Sequence, residues 1–85
     1  MFKITYSKKA RKYLSKMPKQ WQKRVISKID SLAKDPYASN NNATKLVGRE
    51  AYRLRIGDFR VIYNIHNNIL TIEVVDIGAR GGIYK

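Results

Sequence analysis

The segment Tyr52-Arg53-Leu54-Arg55-Ile56-Gly57-Asp58-Phe59-Arg60-Val61-Ile62-Tyr63 constrains the fold of this chain more than any other. Apolar residues alternate with polar ones on both sides of Gly57-Asp58, the pattern of two short strands joined by a two-residue turn. Gly57 stands first in the turn, where a type II′ hairpin requires positive φ. A turn of that length fixes the register: Ile56 faces Phe59, Arg55 faces Arg60, Leu54 faces Val61 and Arg53 faces Ile62. Tyr52, Leu54 and Ile56 then share one face, while Arg53, Arg55 and Arg60 gather on the other. Like charges directly across a sheet destabilise it, so the cluster marks a candidate anion site.

Eighty-five residues form one small domain, residues 1–85, with a single core. Eighteen Lys and Arg against six Asp and Glu leave a net charge of +12, which implies a polyanionic partner, most simply nucleic acid. An acidic protein or an anionic membrane surface has the same sign. No apolar run is long enough to span a bilayer. The residues after Met1 lack the apolar stretch of a secretory signal. Cysteine is absent, which excludes disulfides and thiolate metal sites and fits a cytoplasmic protein.

Phe2, Ile4 and Tyr6 alternate with Lys3 and Thr5, predicting a first strand over residues 2–6. Ser7 is placed to cap a following helix. Ala10, Tyr13, Leu14 and Met17 form its apolar stripe. Pro18 suits the opening of a second helix, in which Trp21, Val25, Ile29 and Leu32 recur at helical spacing, widened by Ile26 and Ala33. An αα-hairpin over residues 8–34 follows. Its outer faces carry Lys8, Lys9, Arg11, Lys12, Lys16, Lys19, Lys23, Arg24, Lys28 and Lys34, with few acids nearby to form i,i+4 pairs. The first eight are the candidate nucleic-acid contacts, for RNA in the first instance.

Asp35-Pro36 ends the second helix, and Tyr37–Thr44 reads as a polar loop. Asn67-Asn68 predicts another tight turn, pairing Ile65 with Leu70, Tyr63 with Ile72 and Val61 with Val74. The expected architecture is α+β: an N-terminal strand and αα-hairpin packed on a mainly antiparallel, twisted sheet. The face away from the helices would be uncovered, collecting Arg53, Arg55, Arg60, Ile62, Asn64, Thr71, Glu73 and Val75. Arg80 and Tyr84 from the tail supplement its basic centre.

No metal site or cofactor is expected, since His66 is the single histidine and falls at a turn. The arginines suit phosphate, whose oxygens the planar guanidinium holds through paired donors. RNA supplies its own 2′-hydroxyl nucleophile, leaving the protein to orient it, move protons and stabilise the phosphorane. Tyr84 could stack on a base, pass a proton or simply anchor the tail. Arginine stays protonated at neutral pH and is a poor general base. Glu73, placed diagonal to Arg60, and Glu50 are the carboxylates nearest to that role.

With these residues in view the chain resembles the RelE/ParE superfamily of bacterial toxins. The strand, the basic helical hairpin, Tyr52–Tyr63 and the late Ile77-Gly78-Ala79-Arg80 and Ile83-Tyr84 look most like its RelE-type branch. That resemblance implies a RelE-like fold and a metal-independent endoribonuclease, a toxin of a type II toxin–antitoxin system that cleaves mRNA in the ribosomal A site. Arg53, Arg55, Arg60, Arg80 and Tyr84 would be its catalytic set. The partners would be a cognate antitoxin, the ribosome and mRNA. The best-known RelE-type pattern has lysines where Arg53 and Arg55 stand. Two other readings stay open: a ParE-like inhibitor of DNA gyrase, and a non-catalytic basic module that binds nucleic acid.

Overall fold

Ser7 separates the first strand from the first helix. Its Oγ accepts from the Ala10 N–H at 2.9 Å, satisfying a donor that the first helical turn leaves without a partner. The computed structural model describes residues 1–36, 43–45 and 51–79, for 43–45 the backbone alone. Within them β1 is Lys3–Tyr6, α1 Lys8–Ser15, α2 Lys19–Lys34, β2 Ala43–Lys45, β3 Tyr52–Ile56, β4 Phe59–His66 and β5 Thr71–Ala79. The α+β architecture expected from the sequence is the one observed.

The sheet has five strands in the order β1-β5-β4-β3-β2, antiparallel except for the parallel pair of β1 with β5. The expected three-stranded meander is thus extended on both sides. Residues 43–45, of which 43 and 44 fall in the expected loop, pair with β3 in the register Ala43–Leu54, Thr44–Arg53 and Lys45–Tyr52. Both helices turn their apolar stripes onto one face of the sheet. Ala10 and Met17, then Val25, Ile29 and Leu32, meet Leu54, Ile56, Val61, Tyr63, Ile72, Val74 and Ile77 in one buried cluster. Ile26 departs from expectation: it is 39% exposed, because the stripe that reaches the sheet runs through Val25, Ile29 and Leu32. Pro18 is the N-cap of α2, one position earlier than the first helical residue. Gln22 Nε2 donates to the carbonyls of Met17 (2.9 Å) and Ser15 (3.3 Å), which fastens the end of α1 to α2.

The β3–β4 register is the predicted one, from Ile56–Phe59 through Arg55–Arg60 and Leu54–Val61 to Arg53–Ile62. Gly57 has φ +57°, whereas Asp58 keeps the negative φ of the second type II′ position.

The β4–β5 register differs. A 3-10 turn, Asn67–Ile69, followed by Leu70 at φ 47°, replaces the tight asparagine turn. Ile65 therefore pairs with Ile72, Tyr63 with Val74 and Val61 with Ile77. The reason lies outside the hairpin, since the Lys3 N–H donates to the Leu70 carbonyl at 2.7 Å and β1 thereby holds that residue.

Between the Tyr63–Val74 and Ile62–Asp76 pairs, Val75 is an extra residue, a β-bulge. One inserted residue reverses the facing of everything beyond it. Ile77 enters the core at 2% exposure, and Asp76 turns away from it.

Candidate functional site

Gly57 and Asp58 lie at the tip of the β3–β4 hairpin, with Arg55 and Arg60 directly opposite each other in the second pair below it. These four residues line a cleft of about 250 Å³. Arg55 is exposed, Arg53 is half-buried, and Arg60 is only 8% exposed. On its other side Arg60 pairs with Gly78, which has no side chain to crowd it.

Among the described residues no carboxylate forms an ion pair with Arg60. A residue buried this far holds its charge at less cost when a counter-charge can reach it. The cleft gives it one outlet, beside Arg55 and with the Asp58 residue at the rim. Geometrically this is a receptor for a small anionic group.

The tip is held by α2. Trp21 packs against Gly57 and lies 5.3 Å from the Phe59 ring, tilted by 57°. The Arg24 guanidinium sits 4.9 Å over the indole, a cation–π contact. Sequence spacing identified Trp21 as a core residue and Arg24 as an outer charge. Their joint work as the brace of the arginine hairpin needed the packing of α2 on β3.

Glu73, the described one of the two expected carboxylates, pairs with Asn64 and does not stand beside Arg60, because of the altered register. It accepts from Asn64 Nδ2 at 3.4 Å and bonds to His66 Nε2 at 2.9 Å. The His66 and Asn64 hydrogen bonds hold its carboxyl below the usual glutamate range, the opposite of what a general base needs. Glu50, Arg80 and Tyr84 lie outside the described residues. Asp76, brought beside β4 by the bulge, is taken up by Lys9 at 3.3 Å.

The second face of the sheet is also less open than expected, since Ile62 and Thr71 are buried along with Arg60. The basic residues of the helices, Lys8, Lys9, Arg11, Lys12, Lys16, Lys19, Lys23 and Arg24, are all exposed. They belong to α1, its end and the first turns of α2; Lys9 reaches Asp76 of β5, and Arg24, over Trp21, sits beside the tip of the arginine hairpin.

A family model described as the ParE toxin of the type II toxin–antitoxin system parDE matches residues 4–84. The chain belongs to the ParE toxin family. No curated protein matches the sequence. Among solved structures it is similar to RelE in the archaeal RelE–RelB complex from Pyrococcus horikoshii, with 28% identity, a TM-score of 0.82, and 95% of this chain and 97% of that one covered. The intact E. coli RelBE complex gives 17% identity, a TM-score of 0.80, and coverage of 93% and 96%. The YoeB/ParE toxin from Agrobacterium tumefaciens gives 13%, 0.78, and 93% and 99%; these last two likenesses are of fold.

Membership in the ParE family corrects the RelE-type assignment, and with it the ribosome-dependent mRNA interferase and endoribonuclease readings. The residues that suggested that branch lie on a framework that the ParE family shares. The chemistry agrees with the correction: Arg53, Arg55 and Arg60 supply fixed positive charge, and Glu73, expected as a proton acceptor, is engaged by His66 and Asn64.

Proposed function

We propose that this ParE-family chain is the toxin of a type II toxin–antitoxin pair, acting in the cytoplasm by binding DNA gyrase and arresting it without cutting nucleic acid itself. The match to the ParE toxin model over residues 4–84 carries this reading. The arginine cleft supports it, because permanently charged guanidiniums grip an anion well and move protons poorly. Arg55 and Arg60 receive an acidic group of the target, with Arg53, Arg80 and Tyr84 extending the contact. A cognate antitoxin keeps the toxin silent, as the antitoxin complexes of the P. horikoshii and E. coli relatives suggest.

The test is a supercoiling assay with purified gyrase. Wild-type chain inhibits the reaction, antitoxin restores it, and Arg55→Ala or Arg60→Met weakens inhibition by roughly tenfold, as expected for losing one charge-assisted contact. Undiminished supercoiling at a large molar excess of folded toxin would sink the proposal. Inhibition unchanged by both variants would remove the cleft from it.

A further inference from the structure

The helical hairpin carries a second charged surface that the arginine cleft does not use. Lys8, Arg11 and Lys12 lie on one arc of α1, opposite buried Ala10. Lys16 follows at its C-cap, and Lys19 and Lys23 continue the array on the outer side of α2. All of these are exposed. α1 contains no acidic residue, and α2 has its first at Asp30. Among the described residues, Lys9 with Asp76 is the one carboxylate ion pair made from α1, while Arg24 is occupied by Trp21.

The character of this surface is as telling as its sign. Tyr13 and Trp21 are partly buried against the core, so no aromatic ring stands out from the array to stack on an unpaired base. The exposed large apolar residues among those described are Met1, Ile26, Ile69 and Leu70, none of them on α1. An interfacial membrane helix needs an apolar face of its own, and the apolar face of α1 is spent on the sheet. What remains is a row of cations with no stacking group among them, bordered on α2 by exposed Ile26 beside Lys23, and suited to regularly spaced phosphates.

We propose that Lys8, Arg11, Lys12, Lys16, Lys19 and Lys23 form a sequence-independent site for the backbone of duplex DNA. Its place on the helices, apart from the β3–β4 cleft, lets one toxin molecule hold DNA and a protein target at once. The choice of DNA over other duplexes rests on the gyrase reading, whose target works on duplex DNA.

The experiment measures anisotropy of a labelled DNA duplex titrated with the full chain across a range of KCl, without gyrase. Two triple variants remove equal charge: Arg11→Gln, Lys12→Gln and Lys16→Gln within the array, or Lys3→Gln on β1 with Lys28→Gln and Lys34→Gln on the later turns of α2, outside it. The array triple flattens the slope of log K against log salt by about 2.7 and weakens binding by roughly tenfold or more at moderate salt, as three lost phosphate contacts require. The control triple loses far less. Equal losses in the two triples, with circular dichroism showing both folded, would reduce the site to bulk charge. Absent duplex binding, or tighter binding to single-stranded RNA, a duplex RNA or an acidic peptide, would also overturn it. Supercoiling inhibition is scored separately, so DNA binding can fail with the gyrase reading intact, and the reverse.

Discussion

Ser7 Oγ donates to the carbonyl of Val75 at 2.8 Å, across 68 positions of sequence, while accepting from the Ala10 N–H. The Ser7 N–H donates to the neighbouring Val74 carbonyl at 2.8 Å. One residue therefore caps α1 and anchors the bulge that carries Ile77 into the core. Ser7→Ala is expected to cost about 1–2 kcal/mol, the range for a lost N-cap with a second hydrogen bond. Ser7→Asp keeps the cap acceptor but cannot donate to Val75, so it should recover only part. Urea denaturation of the three proteins checks this; full recovery by aspartate would remove the Val75 bond from the account.

Gly57 and Trp21 exclude any side chain between them. A Cβ on Gly57 would lie 2.6 and 2.7 Å from two carbons of the Trp21 ring, at a φ of +57°. Gly57→Ala should destabilise by about 2–4 kcal/mol, combining overpacking with left-handed strain. A double-mutant cycle separates the two, because the loss must shrink in a Trp21→Ala background. An unchanged loss there would leave backbone strain as the sole cause.

Leu70 carries the only positive φ, 47°, of any non-glycine described residue, with its side chain 54% exposed. Leu70→Gly should stabilise the chain by about 0.5–1 kcal/mol by relieving that strain at little cost in burial. A lowered urea midpoint would contradict it.

Arg55 and Arg60 face each other across the hairpin. Arg60→Met should raise stability by up to about 1 kcal/mol by removing cross-strand repulsion while it weakens gyrase inhibition. The gain should fall as salt rises and screens the parent's charges. Greater stability with lesser function would mark Arg60 as a residue kept for binding.

Two groups set opposite pH responses. The His66 hydrogen bond, then that of Asn64, lowers Glu73, so its contribution is present above the ordinary glutamate range and lost as pH falls through the lowered folded value. His66→Ala should move the Glu73 titration upward, as carboxyl-carbon NMR would register. Burial, then Asp30, raises Tyr6, so its contribution holds below the ordinary tyrosine range and is lost as pH rises through the raised value. Tyr6→Phe should flatten the alkaline loss of stability.

The hairpin, both helices and the Ser7 cap were legible because each is written in local pattern: alternation around Gly57, helical spacing from Ala10 to Leu32, a hydroxyl ahead of a helix. The arginine pair followed from turn length alone. The branch of the superfamily was misread, because arginines that suit phosphate serve equally to grip another anion, and local sequence does not separate those uses.

The sequence by itself determined both helices, the β3–β4 hairpin with its register, and their apolar faces, since these depend on neighbours a few residues apart. Tertiary structure decided the rest. The parallel contact of Lys3 with Leu70 reset the β4–β5 turn, which took Glu73 from Arg60 to His66, and the bulge at Val75 exchanged Asp76 for Ile77 in the core. Each is a contest between local preference and hydrogen bonds made across the sheet, and the outcome depends on partners that only the folded chain brings together.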